Sequence, residues 1–115
     1  MKLQEIELPT KKRITCHIGE NAKDNTSIIQ NGKENDLWFH AVQCSSCHVV
    51  VDMPETFTKK EKHYIIKIGA GLCKQHTNKL RKESKVVIQY TKLKNITTTD
   101  IEGTVHCSET NQIIV

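Results

Sequence analysis

The sequence predicts a small α+β domain, rich in β-strand and organised round one bound zinc ion. Short alternating or β-branched runs recur from residue 12 to the C-terminus, while Leu72 to Ser84 carries neither proline nor a β-branched run. Two ligand pairs, Cys44-Ser45-Ser46-Cys47 and Cys73-Lys74-Gln75-His76, each have two intervening residues and stand 25 residues apart. That is the spacing one tetrahedral zinc asks of a chain, with Cys44, Cys47, Cys73 and His76 as ligands. With 37% apolar and 4% aromatic residues among 115, the core is thin. A structural metal, with an apparent binding energy on the order of 10 kcal/mol, supplies what such a core lacks.

Residues 12–18 open the series: Ile14, Cys16 and Ile18 fall on one side and Arg13, Thr15 and His17 on the other, the period of a half-buried strand. Residues 19–36 are mostly polar and read as a loop, with Asn31-Gly32 as a two-residue hairpin turn. Leu37 to Gln43 reads as a strand leading into the first cysteine pair. His48 to Met53 and His63 to Ile68 then read as the two strands of a hairpin, separated by Pro54-Glu55 and a lysine run. Gly69-Ala70-Gly71 ends the second, and a helix over 72–84 places Cys73, His76 and Leu80 on one face. Lys85 to Leu93 alternates as a strand, a threonine-rich turn follows at 97–99, and short strands are expected near 103–107 and 111–115. The whole reads as a single domain, 1–115. Residues 1–36 form its N-terminal strand and loop, 37–85 a zinc module, and 86–115 its C-terminal strands.

The order of a CxxC turn, a hairpin and a helix carrying the second ligand pair resembles the treble-clef zinc fingers. That resemblance covers residues 37–85 and implies one structural zinc, held by Cys44 and Cys47 of the knuckle and by Cys73 and His76 on the opening turn of the helix. Helix-start N–H groups stabilise thiolate, which suits that placement. Cys44 to His48 also matches the attachment signal for c-type haem, but that reading leaves Cys73 and His76 idle. Cys16-His17 and His106-Cys107 invite a second metal site, although neighbours on a strand point to opposite faces. Gly71-Leu72-Cys73 and His76-Thr77-Asn78 look like the turn and helix of HNH and endonuclease VII nucleases, which share the treble clef. The acid–histidine or His-His pair that those enzymes use to activate water is missing between the ligand pairs.

The net charge of +4 conceals a segregation, because residues 59–94 hold 11 Lys or Arg against 2 Glu. An anionic partner is implied. On a helix over 72–84, Lys74, Arg81, Lys82 and Lys85 form a ridge opposite the metal-facing side, and Lys59, Lys60 and Lys62 at a hairpin tip extend it. Contacts from such a ridge go to nucleic-acid phosphates and not to base edges. Met1 to Glu7 lacks the apolar core of an export signal, and no apolar run approaches the ~20 residues of a membrane span. The expected setting is therefore intracellular, cytoplasm or nucleus, where clustered cysteines bind metal more often than they form disulfides. The leading expectation is a non-enzymatic regulatory or accessory protein that binds DNA or RNA. A protein–protein adaptor that offers strands 37–43 or 111–115 as edges is the alternative, and a nuclease comes third.

Overall fold

Six strands form one antiparallel sheet in the computed structural model, which describes residues 1–115. They are β1 (Lys2–Glu7), β2 (Arg13–Ile18), β3 (Leu37–Ala41), β4 (Val49–Val51), β5 (Val87–Lys92) and, at the far edge, β8 (Asn111–Ile114). Their order is β1-β2-β4-β3-β5-β8. Two short strands, β6 (Ile96–Thr98) and β7 (Val105–Cys107), pair separately. Two helices, α1 (Ala22–Gln30) and α2 (Lys59–Gln75), cover opposite faces of the sheet. The α+β, β-rich expectation holds at this level.

Alternation along β3 divides the interior in two. Leu37, Phe39 and Ala41 join Cys16, Val49, Val51 and Ile88 on the face that α2 covers with Ile65, Ile66, Ala70, Leu72 and Cys73. Trp38 and Val50 face the other way, against Ile28 and Ile29 of α1, and Leu93 and Ile96 close that smaller core. A central strand buried on both faces explains why Leu37, Trp38, Phe39 and Ala41 are all inaccessible.

The largest difference from expectation lies at residues 59–75, where one helix replaces a strand, a glycine break and the start of a later helix. Its start is fixed by a capping box: Thr58 Oγ1 accepts from Glu61 N at 3.1 Å, and the Glu61 carboxylate accepts from Thr58 N at 2.9 Å. Glu61 also accepts from Thr10 Oγ1 and pairs with Lys12, tying α2 to the turn before β2. The buried positions 65, 66, 69, 70, 72 and 73 recur at helical spacing along one stripe. The hairpin over 48–68 is therefore absent. Cys73 lies in the last turn of α2 and His76 is its C-cap, the end whose dipole disfavours a thiolate.

Gly69 is required because a Cβ there would overlap the ring of Phe39. Gly69→Ala is expected to destabilise the fold by about 1–3 kcal/mol through overpacking, of which alanine's ~1 kcal/mol better helix propensity recovers only part. Nothing lies within 4 Å of a Cβ at Gly71, two residues on. Gly71→Ala should therefore stabilise by about 0.5–1 kcal/mol. Urea midpoints of the two variants test the contrast, and equal shifts would sink it.

The segment read as a polar loop contains α1. Asn21 caps it by accepting from Asp24 N at 2.9 Å, and Asn31, read as part of a hairpin turn, is its C-cap. Strand β1 was not anticipated, and it pairs along its whole length with β2. Of the two strands expected to offer edges, β3 lies between β4 and β5, and only β8 is an edge.

Candidate functional site

The end of α2 and the start of α1 are brought to the same side of the molecule, and between them opens a polar cleft of about 730 Å³. Its walls are the 45–48 segment, the α1 N-cap at Asn21, the α2 exit from Gln75 to Asn78 with Arg81, Lys2 of β1, and the turn at 102–104. That turn is seated on α1 by Gly103 N donating to Thr26 Oγ1 at 2.8 Å. Gly103 has φ +79°, and a Cβ there would press on Ala22, so only glycine closes the wall here.

The back of the cleft is an aromatic cluster set by the sheet. Register pairs Phe39 with Val49, which places His40 opposite His48 across β3 and β4. Their rings meet edge to face at 4.7 Å, while Trp38 stacks against His40 at 5.8 Å. Trp38 Nε1–H donates to His48 Nδ1 at 3.2 Å, so the neutral imidazole carries its proton on Nε2. His48 is 2% exposed and lines the cleft. Burial first, and then the neighbouring His40, push its pKa down to about 3. Burial lowers that of His40 as well. Both rings are neutral near pH 7. The backbone N–H of His48 donates to Asn25 Oδ1 at 3.2 Å, joining the cluster to α1.

The expected metal ligands do not assemble. Cys47 and Cys73 meet: each thiol donates to the other residue's carbonyl, at 3.4 and 3.3 Å. Cys44 packs separately against the main core, and His76 borders the cleft. No group of three or more His, Cys, Asp or Glu is placed to hold an ion. In this arrangement Cys44, Cys47, Cys73 and His76 are not gathered as a tetrahedral set. The second candidate site is not formed either. Cys16 is buried on the α2 side of β2, and His17 faces the other way with its Nε2 at 3.0 Å from Asp52. His106 and Cys107 are exposed on β7.

A hydrogen bond with Cys73 lowers Cys47 to about 7 despite its burial, and the same bond with burial raises Cys73. Thr77 holds the junction together. Its hydroxyl donates to Cys73 O at 2.8 Å and accepts from Cys47 N at 3.2 Å.

The basic residues fall into two groups. Lys59, Lys60 and Lys62 occupy the first turn of α2 and not a hairpin tip. At 1.5 Å per residue over 17 residues, they stand about 24 Å from the other end. Lys74 lies in the last turn, where its Nζ donates to Val115 O at 3.3 Å. Arg81, Lys82 and Lys85 follow the helix in an exposed turn instead of riding on it, and Arg81 enters the cleft wall.

Sequence reading missed the cleft because one of its walls, the α1 cap, belongs to a helix it did not place, and another, the α2 exit, to a helix it ran over 72–84 and not 59–75. One signal was available: a strand over 37–43 puts Trp38 and His40 on one face, and His48 immediately precedes the strand that pairs with it.

A family model described as the NFACT protein RNA-binding domain matches residues 5–107. No curated protein matches the sequence. Among solved structures, the C-terminal part of the fibronectin/fibrinogen-binding protein of Streptococcus suis superposes with a TM-score of 0.81 at 20% identity. That likeness covers 100% of this chain and 45% of the other, and at such identity it speaks for the fold alone. The family match, together with the missing ion-holding group, overturns the treble-clef zinc-finger reading, and the resemblance to HNH nucleases goes with it. Matched over all but its extremities, this chain belongs to the NFACT protein RNA-binding domain family.

Proposed function

We propose that the chain binds RNA across the mouth of the cleft, at the C-terminal end of α2. The observation that carries this reading is the convergence there of a polar cleft and the segment 74–85, which holds five basic residues and one acidic. The family description supports RNA as the nucleic acid. Arg81, Lys82 and Lys85 take backbone phosphates, with Lys74 behind them. The Nε2–H of His48 offers a fixed donor at the back of the cleft to a phosphate or base edge. Lys59, Lys60 and Lys62, at the other end of α2, serve a longer RNA as a second electrostatic contact. The reading is one of binding and not catalysis, in an accessory or regulatory role. An intracellular setting, in cytoplasm or nucleus, goes with it because RNA is met there; no helix here is long and apolar enough to cross a membrane.

The double variant Arg81→Ala/Lys82→Ala tests it. Losing two phosphate contacts should reduce the salt slope of binding by about 1.5 and weaken affinity for a short RNA at low salt about tenfold. Lys59→Ala/Lys60→Ala should have little effect on the same short RNA. Equal losses in the two variants, or none in either, would contradict the placement.

A further inference from the structure

We propose that Cys47 and Cys73 are a reversible disulfide site that clamps the cleft-lining segment to the end of α2. Each of the two thiols donates to the other residue's main-chain carbonyl, at 3.4 and 3.3 Å, although the residues stand 26 positions apart in sequence. Both are free in the structure. Cys47 borders the cleft, where a small reagent reaches it, whereas Cys73 is 0% exposed and has Cys47 as its neighbouring thiol. The remaining cysteines are placed otherwise. Cys44 packs into the core margin, Cys16 is buried on β2, and Cys107 is exposed on β7. Backbone support on both sides, from Ser46 Oγ accepting from Ala41 N and from Thr77 holding Cys47 N, keeps the pair aligned.

The chemistry needs a low-molecular-weight disulfide as oxidant. The Cys47 thiolate attacks one sulfur of that disulfide, forming a mixed disulfide and releasing one thiol. Cys73, giving up its proton to solvent, then attacks the Cys47 sulfur and expels the second thiol. Two protein thiols become one disulfide, and the oxidant is reduced to two thiols. A reducing thiol reverses both steps. The 45–48 wall of the cleft is thereby tied covalently to α2, a device that does not depend on the RNA reading.

The reduced full chain, treated with oxidised glutathione and digested, provides the test. Expected are a mass loss of two hydrogens, a cross-linked peptide joining Cys47 to Cys73, and slower amide exchange across 44–48. Cys44→Ser should leave that cross-link intact, and Cys73→Ser should stop at one glutathione on Cys47. Pairing of Cys44 with Cys47, a wild type that halts at the glutathione adduct, or a stoichiometric zinc that protects both thiols would overturn the proposal. Each outcome is read without RNA, so it stands or falls separately from the binding function.

Discussion

Phe39→Ala is expected to destabilise the domain by about 3–5 kcal/mol. Phe39 is 0% exposed on the central strand, its ring 5.9 Å from that of Tyr90 and directly under the Gly69 backbone of α2. Removing the ring leaves a cavity between the sheet and a helix whose approach distance that ring sets. The two layers cannot close over it without dragging Ile65 and Ile66 out of register with Val49 and Ile88. Domains of this size have total stabilities of about 5–15 kcal/mol, so the variant sits near the edge of folding. Denaturation in urea should show a lower midpoint with an unchanged slope, and a loss below 1 kcal/mol would show that the helix does not rest on this ring.

Acid is expected to unfold the protein from an unusually high pH, because His48 is buried neutral. Its pKa falls to about 3 in the fold from an ordinary 6.5. Above pH 6.5 the ring is neutral in both states and the full stability is present. Below it the unfolded chain takes up a proton that the folded one refuses, so stability falls with pH down to about 3. The shift corresponds to a loss on the order of 4 kcal/mol across that window. His40, which faces His48 and is also lowered by burial, adds in the same direction. Glu61 contributes at lower pH. Hydrogen bonds from Thr10 and the Thr58 backbone hold its carboxyl at about 2, so its stabilisation is lost as pH falls from the usual carboxylate range through that value. His48→Gln should flatten the slope between pH 6.5 and 4.5. A wild-type stability that stays level from pH 7 to 5 would rule out a neutral, buried His48.

Strands β2, β3, β4 and β5 were legible because their alternating or β-branched runs survive: Ile14, Cys16 and Ile18 face α2 as their spacing implies, and so does Ile88 on β5. The helices were not. In α2, Tyr64-Ile65-Ile66 and Ile68 carry strong β propensity, and Gly69 reads as a break, yet tertiary packing on Phe39 overrides both. The decisive local signal was Thr58-Lys59-Lys60-Glu61, a capping box that outweighs the β-branched run after it. In α1 only Ile28 and Ile29 are buried apolar residues, so a nine-residue helix left almost no periodicity to read. The paired ligand spacing was real in sequence but not in space. Shifting the helix start from residue 72 to residue 59 carries Cys73 and His76 to the opposite helix end, and the four donors no longer converge. The basic character of 74–85 was legible from composition, whereas its position at a cleft mouth depended on where α2 stops.

Mapping backbone amide chemical shifts while titrating the isotopically labelled chain with a short RNA tests the RNA reading most directly. The expected result is salt-sensitive perturbation of Ser45 to His48, Gln75 to Asn78 and Arg81 to Lys85, together with Lys2 and the α1 cap at Asn21. Perturbation confined to Lys59–Lys62, or none at low salt, would contradict RNA binding at the cleft.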